Sequence, residues 1–106
     1  MKFAIVILTA QVALCAIALP VHAEEVPVGQ AGKTFNPDSL QIKVGDSVKF
    51  NNDDKVAHAV LIKGPTASNL GQISPGDAKS ASFDAPGTYE VKCAIHPKMK
   101  LTITVQ

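Results

Sequence analysis

The chain has 106 residues, with ten lysines and no arginine set against nine acids, for a formal charge of +1. That near balance argues against a nucleic-acid binder, which needs a basic excess to hold phosphates. The 46% apolar content excludes a chain disordered by composition, and the length allows one domain.

Met1-Lys2 places one positive charge ahead of an apolar run, Phe3 to Leu19, interrupted only by Thr9 and Gln11. Pro20 breaks any helix there, and Val21-His22-Ala23 puts small or short residues before acidic Glu24-Glu25. This is the layout of a secretory signal peptide, with residues 1–23 as leader and 24–106 as the working domain. The apolar run lies at the low limit of the roughly 17–25 residues that span a bilayer, and no basic stop-transfer cluster follows it. Cleavage after Ala23 is expected, with no stable membrane association afterwards. Cys15 and His22 leave with the leader, and the expected location is the periplasm.

All nine acids and nine of the ten lysines lie in Glu24–Gln106, so the formal charge of that stretch is zero. A domain of this size buries only about 60–65% of its unfolded surface and is marginal without help. Small exported domains often gain that help from disulfides, but Cys93 has no partner once Cys15 is removed. A metal held by the thiolate would protect it from oxidation and add folding energy.

Val26-Pro27-Val28 reads as a short entry strand, followed by a Gly-containing turn. Leu40, Ile42 and Val44 alternate with Gln41 and Lys43, and Gly45-Asp46 turns the chain into Val48 and Phe50. Ala57 to Ile62 is an apolar run around His58, and Thr66 to Leu70 is a candidate for a single helical turn. Ala81 with Phe83, then Tyr89, Val91 and Cys93, then Leu101, Ile103 and Val105 each alternate with polar neighbours. Period-two alternation marks half-buried antiparallel strands. Ser74-Pro75-Gly76-Asp77 and Ala85-Pro86-Gly87-Thr88 place Pro before Gly, the chemistry of a type II turn. Seven to eight short strands separated by such turns predict an all-β sandwich.

The sharpest motif is Cys93-Ala94-Ile95-His96-Pro97-Lys98-Met99, with Cys, His and Met at three-residue spacing between two predicted strands. His58 lies on a separate strand. One thiolate, two imidazoles and one thioether make a soft mixed donor set, and a His₂Cys trigonal arrangement with a weak axial Met favours copper in both Cu(I) and Cu(II). Zinc would also bind tightly, although Met is a poor zinc ligand. Iron–sulfur clusters ordinarily need more cysteines, and Asp53-Asp54 are adjacent rather than spaced as a calcium loop. Taken singly, an inward Cys, a His on an apolar strand and a Met at a strand end are packing residues more often than ligands. Their coincidence in a His-poor exported domain reverses that preference. Nucleophilic catalysis by Cys93 with His96 is the other chemical reading, but so small a sandwich leaves little room for a substrate pocket.

From Thr34 to Gln106 the chain resembles small type I (blue) copper proteins, cupredoxins of the plastocyanin/amicyanin group. Phe35-Asn36-Pro37-Asp38-Ser39-Leu40, Ile42, Val44-Gly45-Asp46, Val48, Phe50, Asn52 and His58 are similar to the family's first half. Pro86-Gly87-Thr88-Tyr89, Cys93, His96-Pro97 and Met99 are similar to its second, and the short Cys-x-x-His-x-x-Met loop is most like amicyanin. The resemblance implies a Greek-key β-sandwich and one copper ion, with His58, Cys93 and His96 as equatorial ligands and Met99 as the axial one. It implies a non-enzymatic electron carrier, a monomer whose redox protein partners dock near His96. Ala94, Ile95 and Pro97 would form the apolar contact patch, flanked by Lys98 and Lys100, which would either favour an acidic partner or serve as ordinary solubilising charge. Copper carriage or buffering outside the cytoplasm is the main alternative, and a metal-free adhesion-type sandwich is a further one. The sequence departs from many relatives at Ala59 and Ala94, where polar side chains tie the ligand segments together. The backbone N–H of Ala59 remains available to the Cys93 sulfur.

Overall fold

The structure is a computed structural model that describes residues 23–106. The body of the predicted leader, with Cys15 and His22, lies outside the described residues. Nine strands follow in chain order: β1 Glu25–Ala31, β2 Thr34–Asn36, β3 Ser39–Ile42, β4 Ser47–Asn52, β5 His58–Lys63, β6 Ser68–Ile73, β7 Ala78–Ser82, β8 Gly87–Lys92 and β9 Lys100–Val105. They form two sheets, ordered β2-β1-β4-β7 and β3-β9-β8-β5-β6. The architecture is the expected all-β sandwich, with no helix among the described residues.

Alternation explains the core directly. Val28 of β1 and Val48 and Phe50 of β4 face Ile62 of β5, Tyr89 and Val91 of β8, and Leu101, Ile103 and Val105 of β9 in one buried cluster. In β8 and β9 the register sets Tyr89 opposite Ile103 and Val91 opposite Leu101, so inward residues meet inward residues. Phe83 stands edge-on to Tyr89, with ring centroids 5.0 Å apart. The Tyr89 hydroxyl donates to the Ala85 carbonyl at 2.7 Å.

Four details correct the sequence reading. Two pairings, β1 with β4 and β3 with β9, are parallel, because the chain changes sheet between β2 and β3 and again between β3 and β4. Residues Ser68–Ile73 form the edge strand β6 in place of a helical turn between Thr66 and Leu70. Pairing with β5 fixes them, and Gly71 at φ 70° interrupts the alternation that would have revealed them. Val44 does not point inward; it is 44% exposed, since β3 ends at Ile42 and Asp46 N–H closes a turn onto the Lys43 carbonyl at 3.0 Å. Of the two Pro-Gly turns, the first has Gly76 at φ 81° and an Asp77 N–H bond to the Ser74 carbonyl. In the second, Gly87 instead opens β8 and lies against Pro65, where a Cβ would meet the ring at 2.6 Å.

Candidate metal centre

The pairing of β5 with β8 sets Leu61 opposite Lys92. Running that register back towards the start of β5 sets Val60 opposite Cys93, the residue after β8, with Ala59 and His58 next along the strand. Contact between the two segments is direct: Ala59 N–H donates to Cys93 Sγ at 3.3 Å. Beyond Cys93 the chain leaves the sheet, and Met99 N–H bonds back to the His96 carbonyl at 3.0 Å. Pro97 suits the second position of that turn because its φ is already set. The turn returns the chain to β9 and folds His96 over Cys93.

Three predicted residues therefore converge. Cys93 Sγ lies 3.8 Å from His58 Nδ1 and 3.7 Å from His96 Nδ1, and the two Nδ1 atoms are 3.2 Å apart. His58, Cys93 and His96 form a group able to hold a metal ion, with donor atoms all within 4.8 Å of one another. The fourth predicted residue, Met99, is 1% exposed and belongs to the same buried cluster as Cys93. His58 and Cys93 are also closed to solvent, at 0% and 1%, whereas His96 is half-buried.

The triangle suits a metal. The circle through these three atoms has a radius of about 2.1 Å, close to the roughly 2.0–2.3 Å that imidazole nitrogen and thiolate sulfur keep from a transition metal. One cysteine sulfur and two imidazole nitrogens, with a methionine in the same buried cluster, match copper in either oxidation state.

Asp54 has no ligand role in the sequence reading, yet it touches the site. Its Oδ2 lies 3.0 Å from His58 Nε2, the ring nitrogen on the far side from Cys93. A carboxylate there holds the proton on Nε2, leaves Nδ1 free for a metal and fixes the ring plane. Lys55 N–H, then the His58 ring, then Lys33 N–H hold the Asp54 carboxyl below the usual carboxylate range, against the smaller opposing effect of burial. Asn52, 1% exposed, knits the loop that presents Asp54. Its side-chain nitrogen donates to the Val56 and Ile73 carbonyls, each at 2.9 Å, and its Oδ1 accepts Asp54 N–H at 2.9 Å. The only sequence signal was an acid four residues before His58, a spacing with no meaning in an irregular loop.

Outside the triangle, Ala94, Ile95 and Pro97 are exposed around His96, Ile95 by 49%. Lys33, Ile95, Pro97 and Lys98 line a shallow groove of about 360 Å³ at His96. Lys98 thus flanks the patch as expected. Lys100 lines a neighbouring hollow instead, and Lys33, which the sequence reading did not single out, takes its place.

A cupredoxin-like domain profile matches residues 4–105. Pseudoazurin of Methylorubrum extorquens is 35% identical over 85% of this chain, which spans 66% of that protein. Amicyanin-alpha of the same organism is 32% identical over 92% of this chain and 89% of its own length. Among solved structures, a reduced variant of amicyanin is similar over 82% of this chain and 87% of its own, with a TM-score of 0.72 at 27% identity.

Proposed function

This chain belongs to the cupredoxin family, and from that premise we propose that it is a one-electron carrier, not an enzyme, exported to the periplasm as a monomer of residues 24–106. Its single copper is held by His58 Nδ1, Cys93 Sγ and His96 Nδ1, with Met99 as the weak fourth donor. The observation that carries this reading is the buried triangle of one sulfur and two ring nitrogens, with sides of 3.2–3.8 Å.

When bound, copper supplies a Cu(I)/Cu(II) couple with no proton or atom transfer. The protein's part is to keep its donors still while the charge changes. Asp54 holds the His58 ring from behind, Ala59 N–H steadies the Cys93 sulfur, and the sheet register fixes both segments. Burial of His58, Cys93 and Met99 excludes water. Half-buried His96 is the electron port, and the Ala94, Ile95 and Pro97 patch is the docking surface. Small apolar contacts of this kind suit transient redox partners, and Lys33 and Lys98 favour an acidic one.

The test is to load purified protein with Cu(II) and record its spectrum and voltammogram. Intense thiolate-to-copper absorption in the red and reversible cycling are expected. Cys93→Ala should abolish the colour, while Met99→Gln should keep the copper and change the potential. A colourless complex overturns the site. A coloured complex that does not cycle, or that surrenders Cu(I) readily to a chelating partner, points to copper carriage.

A further inference from the structure

At the pole of the sandwich opposite the metal, where β1 and β4 begin and β9 ends, lies a carboxylate of unusual setting. Asp46 is 8% exposed. Its Oδ1 accepts Glu24 N–H at 3.0 Å and its Oδ2 accepts Lys43 N–H at 2.9 Å. These two bonds, Glu24's first, hold the carboxyl below the usual carboxylate range against a smaller opposing effect of burial, with a lesser pull from the Lys43 charge. Among the described residues no cationic side chain pairs with it. Aspartates this buried are ordinarily paired with a positive group. Glu24 is further fixed by its carbonyl, which accepts Ser47 N–H at 2.9 Å.

We infer that Asp46 is the receptor for a free α-ammonium at Glu24, and that removal of the leader after Ala23 creates this missing cation. The inference rests on the export reading above. Hydrolysis adds water across the Ala23–Glu24 amide: the hydroxyl goes to the Ala23 carbonyl carbon and a hydrogen to the Glu24 nitrogen. That nitrogen takes a further proton at neutral pH. It is already 3.0 Å from Oδ1, so an amide-to-carboxylate bond becomes an ammonium-to-carboxylate bond without any rearrangement. The remaining ammonium protons have room, because Glu24 and Asp46 stand on an open groove of about 460 Å³. The other charged groups on that groove are Glu24's own carboxylate, the ammonium of Lys43 and the main-chain carboxyl of Gln106, which accepts Val44 N–H at 3.1 Å. Asp46 is the deciding partner because, among the described residues, it alone is hydrogen-bonded to the Glu24 nitrogen. The result is a clamp that fastens the first residue of the processed chain to the β3–β4 turn.

The full-length protein, exported from a Gram-negative host, is purified and its intact mass measured. Its α-amine is then titrated by NMR. The expected amino terminus is Glu24, with an amine that titrates about one pH unit or more above the ordinary value near 8. Asp46→Asn should return it to the ordinary value. Should that variant fail to fold, a chain that keeps Ala23 as its first residue leaves Asp46 untouched and moves the ammonium away. It should show an ordinary amine and a lower Tm. The sign follows from linkage: an amine raised on folding stabilises below its unfolded pKa, and the Tm advantage of the Glu24 start is lost as pH rises through the folded pKa. A mature chain that begins elsewhere overturns both the cleavage site and the clamp. A chain that begins at Glu24 with an ordinary amine overturns the clamp alone. Copper binding is unaffected by either result.

Discussion

Replacing Asp54 with Ala removes the only acceptor that the described structure offers to His58 Nε2. The His58 ring is fully buried and the carboxylate that caps it is only 18% exposed, so truncation leaves the donor that must face away from the metal without its charged acceptor. Losing such an outer partner of a metal-ligating histidine costs about 10–100-fold in metal affinity. The complete burial of His58 places this site toward the upper end of that range. Asp54→Asn keeps an oxygen in place but loses its charge. Charge-assisted hydrogen bonds are about twice as strong as neutral ones, so the amide should retain about half of the free energy and lose only about tenfold. The assay is a competition titration of copper against a chelator of known affinity, followed by the red absorption band, for wild type and both variants. The expected order is wild type, then Asn, then Ala. An Ala variant that binds copper as tightly as the wild type would refute the argument that Asp54 orients His58. The depressed pKa of Asp54 adds a sign. The carboxylate stays ionised through mildly acidic pH, so its contribution should fade only as pH falls through and below the usual carboxylate range.

Three predictions concern the frame that carries the site. Tyr89→Phe keeps the ring against Phe83 but deletes the 2.7 Å bond to the Ala85 carbonyl. It should cost about 1–2 kcal/mol in apo-protein stability, seen as a lower midpoint in urea with an unchanged slope. Gly64→Ala should destabilise by about 1–3 kcal/mol, because the new Cβ would stand 2.6 Å from Tyr89 Cδ2; thermal unfolding equal to wild type would contradict that overlap. Gln30 is fully buried, and neither polar atom of its amide has a partner. Gln30→Met should therefore raise stability by about 1 kcal/mol, or roughly 4–8 °C in Tm for a domain of this size, and calorimetry that shows a fall would mean the amide is satisfied in solution.

What the sequence revealed and what it hid divide along the range of the interactions involved. Leu101, Ile103 and Val105 announce themselves because burial on one sheet face imposes a two-residue period, and all three are buried. The Cys93–Met99 loop is legible for a similar reason, since three donors within one hairpin connection need no knowledge of the rest of the fold. The parallel partnership of β1 with β4 is invisible locally, because the alternation in a strand does not name its neighbour. Edge strand β6 was hidden by Gly71 and by a face with little to bury. Asp54 escaped notice because its meaning depends on a loop shape that Asn52 sets by reaching two carbonyls and one amide.

Of the four proposed copper donors, one meets the outside: His96 is half-buried while His58, Cys93 and Met99 are sealed. In the proposed carrier, the shortest path for an electron then runs through the same small area in both directions. A donor and an acceptor that both dock there would compete for identical ground. The carrier has to let go of the first before it meets the second. Throughput is capped by departure, so a mutation that tightens either encounter would slow the relay even if each individual electron hop became faster.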